Sequence, residues 1–443
     1  MTGSLASSVR DGDSPVARWD DLSDDLAVGH LDDDELTIVL SRVLPRGAQM
    51  RPSEVEYRTS SDETALTLKY RDGLIISALS GPAMTPEIRQ SLLDEVRAAL
   101  SEGQDPVILR AVLFSRRPIE GMWRFRDNFQ ILPAPPEAPR PGMLIADHPF
   151  VIEFIAPGSA DWQILRRRWA RRTREIALLL NLIIRYRVTS PTQIAQHHWT
   201  ITVEDGKTVS RWAQDGYALD GFTIQAPDWT PPGHAPELAR VDRGSYFSYW
   251  PSHSDTGLVP DCMGELLSIF EGLAAEERLN LLRTAYWYHL SGDVWRQSQS
   301  LHLVSLVNAI EVLADSAADR RQPRAPTRKF LEFMREFAPG SPSRRRLENI
   351  YDTRGQVSHG GRLLGYDGGD IGWGLNQQSA VDREVGDDAS WLCGGAILNW
   401  LWAQDQDHET RLIDAGVQGR RAKPGTKSVA VVTTVIPTTD RPE

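Results

Sequence analysis

Tyr351-Asp352-Thr353-Arg354-Gly355-Gln356-Val357-Ser358-His359-Gly360-Gly361 is the stretch on which the reading of this chain turns. It continues a segment whose apolar residues recur every three or four positions, and that spacing predicts a helix over 344–358. The Gly360-Gly361 pair is a helix stop, which puts His359 in the last turn or just past it. There the negative end of the helix dipole and the nearby carbonyls favour a protonated imidazole. Five positions along an ideal helix turn a side chain by about 140°, so Arg354 and His359 of one copy do not stack on each other. An arginine that keeps its charge and a histidine that titrates near neutrality suit the cleavage of a phosphodiester. The cation binds the phosphate while the imidazole moves the proton. RNA is the indicated substrate, because its 2′-hydroxyl is a built-in nucleophile that calls for no metal. The plainer reading of such a pair alone is a structural salt bridge at Arg354 and a helix cap at His359.

Outward from this stretch, helical spacing recurs over 263–273, 276–290, 301–315, 328–337 and 391–404. The expectation is an all-α bundle over 261–410, closed by Trp391, Trp400 and Trp402. Upstream, short β-branched and apolar runs at Thr37–Leu40, Ala65–Leu68, Leu74–Ile76 and Val107–Phe114 predict strands. Helices are predicted over 86–100 and 161–187, and turns at Asp205-Gly206, Asp215-Gly216 and Asp220-Gly221. The fold class expected is therefore α+β: a mixed region over 28–260, which could split near 160, followed by the helical bundle. Residues 1–27 read as a flexible acidic tail and 411–443 as a flexible basic one.

The chain has 443 residues, enough for two or three cores, and 14 tryptophans with 41% hydrophobic residues exclude global disorder. Its net charge of -11 argues against a protein that coats nucleic acid over its whole surface. Cys262 and Cys393 form no CxxC pair, so reduced, buried thiols are expected and neither a zinc site nor a disulfide framework. No signal peptide is read at the N-terminus. The longest apolar stretch, Ile176–Ile184, is less than half of the roughly 20 residues that span a bilayer. A cytoplasmic protein without a membrane partner is expected.

None of GxxxxGK[ST], HExxH, GxSxG, an EF-hand loop or a strand-GxGxxG-helix occurs. The glycine-rich segment 365–374 lacks a following lysine and reads as a flexible loop. His197-His198 and His253-Ser254-Asp255 are sequence neighbours that point apart in a strand, and they read as incidental. Six arginines between Arg166 and Arg174 read as a solvated helix face.

The Arg354 stretch and its surroundings resemble the Apea-like branch of the HEPN superfamily over roughly 273–404. The resemblance rests on the helix Leu303-Val-Ser-Leu-Val-Asn-Ala-Ile-Glu311-Val-Leu313, a basic segment, the Tyr351–Gly361 run and a closing helix. It implies a helical bundle that dimerises so that the Arg and His of both copies form one composite site. It also implies a metal-independent endoribonuclease, of a kind found in toxin, CRISPR-associated and antiphage systems. By that resemblance Arg354 and His359 are the catalytic candidates, with Glu311, Ser358 and Asp352 in support and no cofactor or metal. Gly355 is a departure: active members often carry Asn, Asp or His there. The alternative is a non-catalytic HEPN module that binds RNA or a protein partner. Independently, residues 316–346 carry nine basic residues against three acidic, and Arg328, Lys329, Arg344, Arg345 and Arg346 are candidates for holding RNA phosphates. Residues 28–260 would then sense a trigger molecule or select the RNA.

Overall fold

The computed structural model describes residues 20–26, 32–44, 46–51, 53–71, 74–101, 105–140, 146–184, 186–190, 197–214, 217–231, 233–248, 257–295, 297–317, 325–368, 377–405 and 412–413. The chain forms two compact units. The first comprises Met1–Ala177, Tyr186–Ala239 and Asp255–Gly257; the second comprises Leu178–Arg185, Arg240–Ser254 and Leu258–Glu443. The α+β class holds, with antiparallel sheets in the first unit and helices dominating the second.

The first unit opens with α1 (Asp33–Val43), which contains the Thr37–Leu40 run expected as a strand. Its helical conformation has a local cause. Asp32 caps the N-terminus by accepting from the Glu35 amide at 2.8 Å, and Asp33, Asp34 and Glu35 place negative charge in the first turn. Leu36, Val39 and Leu40 then fall on one face, and all three are buried. A run of four β-branched and apolar residues is too short to outweigh a cap and a helical stripe.

Strands β1 (Arg46–Arg51), β2 (Glu54–Arg58), β3 (Thr64–Arg71) and β4 (Leu74–Ser80) form an antiparallel sheet in that order. Helix α2 (Pro86–Ser101) joins α1 in a core that includes Leu66 and Leu68 of β3 and Leu92 and Val96 of α2. The acidic tail read over 1–27 does not extend to its described part. Leu22 donates to the Ala78 carbonyl at 2.7 Å, Ser80 donates to the Asp20 carbonyl at 2.9 Å, and Leu22 and Leu26 are buried. The two buried leucines and these hydrogen bonds hold residues 20–26 along β4.

The second sheet is built on β5 (Pro106–Ser115), β6 (Trp123–Phe125), β7 (Phe129–Pro133) and β8 (His148–Pro157). After α3 (Trp162–Ile183) come β9 (Val188–Thr189), the hairpin β10 (His197–Glu204) and β11 (Lys207–Gln214), and β12 (Gln225–Ala226). The sheet order is β12-β5-β8-β7-β6, with β9 also pairing to β5. The hairpin turns at Asp205-Gly206, where both residues have positive φ, 50° and 73°, as a type I′ turn requires. Register places Arg110 and Gln130 on either side of Glu153. Glu153 is fully buried, accepts from Arg110 Nε at 2.7 Å and from Gln130 Nε2 at 2.6 Å, and accepts the Thr230 amide at 2.8 Å. A buried carboxylate is tolerable only with partners of this number and charge.

The arginine collar of α3 is not uniformly solvated. Arg168 is buried and makes a bidentate pair with buried Glu35, at 3.0 and 2.8 Å, and its Nη1 donates to the Gly158 carbonyl at 2.6 Å. Arg167 and Arg171 reach Asp34 and Asp32 from exposed positions. The acidic N-terminus of α1 thus draws in half of the collar. Trp162 is 53% exposed, while Leu165, Ile176, Leu179, Leu180 and Ile183 are buried. Position 162 lies at the first residue of the helix, ahead of the turns that pack.

Besides the end of α3, the second unit contains β13 (Arg240–Val241), α4 (Arg243–Ser248) and β14 (Val259–Pro260). It continues as α5 (Met263–Gly272), α6 (Ala275–Val294), α7 (Gln299–Ala317), α8 (Pro326–Phe337), α9 (Arg344–Ser358) and α10 (Gln377–Trp402). Helix α7 is central and touches α6, α8, α9 and α10; Leu303, Leu306, Val307, Ile310 and Leu313 fill the core from it. Helix α10 starts fourteen residues before the position expected for it, Trp391. Its first half, rich in Asp and Glu, still buries Asp382, Val385 and Ala389 at helical spacing. Gly394 and Gly395 allow close approach: a Cβ there would lie 2.8 Å from Tyr288 Oη and 2.6 Å from Pro339 Cγ. The basic tail expected over 411–443 is also docked where it is described. Ile413 is buried and exchanges two hydrogen bonds with the Asn399 side chain, at 2.8 and 2.9 Å. No helix among the described residues is long and apolar enough to cross a membrane.

Candidate functional site

Helix α9 starts where Ser343 accepts from the Arg346 amide and packs through buried Leu347, Ile350, Tyr351 and Thr353. One step beyond that buried face lies Arg354. Its Nη2 donates to Glu311 Oε2 at 2.6 Å and to Asn308 Oδ1 at 3.1 Å. Asn308 and Glu311 are three residues apart on α7, so the helical repeat puts them side by side. The Tyr351 hydroxyl donates to the other oxygen of Glu311 at 2.9 Å. The Arg354 guanidinium lies 5.7 Å from the centroid of the Tyr351 ring, within cation–π range. Burial, followed by the hydrogen bond to Glu311 and then the Glu311 charge, pushes the Tyr351 hydroxyl pKa up from its ordinary value. The side chains of Arg354 and Glu311 are 21% and 23% exposed, so the pair is reachable from solvent although the Arg354 Nε is buried without a partner.

His359 caps the C-terminus of α9 and is exposed. Gly360, with φ of 72°, donates to the Val357 carbonyl at 3.0 Å, and Gly361 donates to the Gln356 carbonyl at 2.9 Å. These two bonds are the Schellman closure that the Gly360-Gly361 pair leads one to expect. The imidazole is not among the partners of Arg354, and the helix turns the two side chains apart. Ser358 and Asp352 are also exposed. A Cβ added at Gly355 would meet nothing within 4 Å, so the missing side chain leaves open space rather than a filled contact.

Four of the five basic candidates are tied to carboxylates. Arg328 pairs with Glu332 at 2.9 Å, Lys329 with Asp315 at 2.8 Å, Arg344 with Glu348 at 2.7 Å, and Arg346 with Asp388 through its Nε at 2.6 Å. Arg345 is exposed and has no ion pair among the described residues. Arg320, Arg321 and Arg324 lie outside the described residues, as do Asp215-Gly216, His253-Ser254-Asp255 and residues 369–374 of the glycine-rich segment. Residues Gly365–Gly368 of that segment form a single 3-10 turn, which differs from the flexible loop expected there.

Asn308 was invisible to the sequence reading, although its position three residues before Glu311 is a usable signal once Glu311 is singled out. Asp388 lies 42 residues from Arg346, and only folding brings them together. Cys262 and Cys393 are both buried and unpaired; burial raises the Cys262 thiol to about 12 and the Cys393 thiol further. Among the described residues no group of three or more His, Cys, Asp and Glu is placed to hold a metal ion. No family model, curated protein or solved structure matches the chain.

Proposed function

We propose that the chain is a metal-independent endoribonuclease of HEPN type, cleaving RNA through the RNA's own 2′-hydroxyl. The observation that carries this reading is the arrangement of α9: a partly open Arg354 fixed by Glu311, and an exposed His359 at the end of the same helix. Arg354 uses only Nη2 for Glu311 and Asn308, and its Nη1 remains to donate to a phosphate oxygen. The two groups diverge within one copy, so the reading includes a two-fold dimer in which each copy completes the other's site. In the reaction one His359 takes the 2′-hydroxyl proton as O2′ attacks phosphorus. Arg354 stabilises the charge on the pentacoordinate phosphoryl group, and the departing 5′-oxygen receives a proton from the second His359 or from water. The resemblance extends the reading to antiphage defence or a toxin-like role.

The test is incubation of the purified chain with total RNA in EDTA, comparing the native protein with His359→Ala. The expected products carry a 2′,3′-cyclic phosphate and a 5′-hydroxyl, and the substitution slows turnover by about 10²-fold or more. Magnesium-dependent cleavage or a 5′-phosphate product overturns the mechanism.

A second reading has its own support. The vacancy at Gly355 and the carboxylate partners of Arg328, Lys329, Arg344 and Arg346 favour a non-catalytic module that binds RNA or a protein partner. Salt-sensitive RNA binding with no cleavage in the same experiment selects it.

A further inference from the structure

We infer that Asp382 and Asp367 are positioning residues that hold the His359 turn in register with the helix that orients Arg354. The consequence for catalysis rests on the nuclease reading, whereas the latch itself rests on geometry alone. Upstream, the Schellman bonds fasten the turn to α9. Downstream, the chain would be free to swing without a second anchor, and the residues just after Gly361 supply one. Arg362 donates to Asp382 Oδ1, and the Gly365 amide donates to Asp382 Oδ2 at 3.1 Å. The Leu364 amide donates to Ser300 Oγ at 2.9 Å. Asp367 Oδ2 accepts from both Ser298 Oγ and the Ser300 amide, each at 2.8 Å. Residues 362–367 are thereby stapled to the first turns of α7 and α10.

Two features set this latch apart from incidental surface bonding. Asp382 is only 4% exposed, and a carboxylate so buried is costly unless its partners are in place. Its two oxygens are used by one side chain and one backbone amide of the same short segment, which defines where that segment runs. Asp367 meets the positive N-terminal end of α7, where a carboxylate is favoured. Helix α7 also carries Asn308 and Glu311, which hold Arg354. One of the two anchors of the His359 turn, at Ser298 and Ser300, is therefore at the start of the helix that also anchors Arg354, 11 residues or about 16 Å apart between Ser300 and Glu311; the other, Asp382, is on α10.

The test uses the full chain with Asp382→Asn, Asp367→Asn and Arg362→Gln. The last two lie at partly exposed positions and keep the test valid if Asp382→Asn does not fold. Amide hydrogen exchange is expected to quicken by roughly tenfold at Gly365 when Asp382 is replaced and at Ser300 when Asp367 is replaced, each losing its charged acceptor, with Leu347–Thr353 of α9 unchanged. RNA cleavage is expected to lose about tenfold or more in kcat with KM held within about twofold, as displacement of a proton-transfer group requires. Unchanged exchange at Gly365 and Ser300 overturns the latch. Faster exchange with an unchanged kcat overturns the positioning role and leaves a purely structural staple. If the native chain cleaves no RNA, the nuclease reading is what has failed, and the exchange measurement still decides the latch.

Discussion

The Glu311–Arg354 pair permits a quantitative test that is independent of any activity. The two side chains meet at 2.6 Å and are each about a fifth exposed. An exposed ion pair contributes up to about 1 kcal/mol, and a hydrogen bond to a charged group in a drier site about 1.5–3 kcal/mol. At this intermediate exposure, solvent screening lowers the second figure, and a coupling of about 1–2 kcal/mol is expected. A cycle of Glu311→Gln, Arg354→Gln and the double variant measures it in urea, with unfolding of the second unit followed through exchange of its core amides on α7. Glu311→Gln removes the anionic acceptor but leaves the Tyr351 hydroxyl an amide oxygen to meet, so the single variant should fold. A melting shift of about 2–4 °C accompanies each kcal/mol in a unit of this size. A coupling below about 0.3 kcal/mol, the ordinary scatter of independent sites, would refute the claim that Glu311 fixes the guanidinium.

Further outcomes follow from other parts of the molecule. Gly355 sits inside α9 with open space around its Cα, so Gly355→Ala should stabilise the second unit by about 0.5–1 kcal/mol in the same urea measurement; a loss of stability means the position is crowded. Glu35→Gln should destabilise the first unit by about 3–5 kcal/mol, since it leaves buried Arg168 without its anionic partner; thermal unfolding that shifts by less than a degree contradicts this. His302 is wedged between the Ser291 carbonyl, to which its Nδ1–H donates at 2.9 Å, and Ser390 Oγ, 2.9 Å from Nε2, and burial lowers its pKa. Its contribution is therefore present in full above the unfolded value near 6.5 and is lost as pH falls below that towards the folded value. Denaturation midpoints at pH 7.5 and 5.5 should converge in His302→Gln relative to the native chain. Both cysteines should react with a thiol reagent only as fast as the chain unfolds, because burial raises both thiols; rapid labelling of native protein disproves their burial.

The sequence by itself determined much of the second unit. Helical periodicity located α9 over Arg344–Ser358, and Gly360-Gly361 located its end, because a helix stop is a local property of two residues without a Cβ. The strands at Ala65–Leu68 and Val107–Phe114 were legible for the same reason, as was the turn at Asp205-Gly206. Where local signals conflicted, tertiary structure decided. Thr37–Leu40 became helical because Asp32 caps it and Leu36, Val39 and Leu40 face a common core. Only folding could pair Arg168 with Glu35 and surround Glu153 with Arg110, Gln130 and Thr230, since those partners lie 23 to 133 residues apart.

The candidate site divides along the same line. Arg354 and His359 could be named from residue type and spacing, and so could their divergence, which depends only on the angle per residue; Glu311 was named only through the family resemblance. That Arg354 is held by Glu311 and Asn308, that Lys329 meets Asp315 and Arg346 meets Asp388, and that Asp382 and Asp367 staple the chain beyond His359 were decided by the packing of α7, α8, α9 and α10, whereas Arg328–Glu332 and Arg344–Glu348 are pairs four residues apart on one helix. A charge in a sequence carries no information about its partner across a helix interface. The partner is chosen when apolar burial brings the helices together, and each buried or half-buried charge then takes the nearest group able to offset its lost hydration.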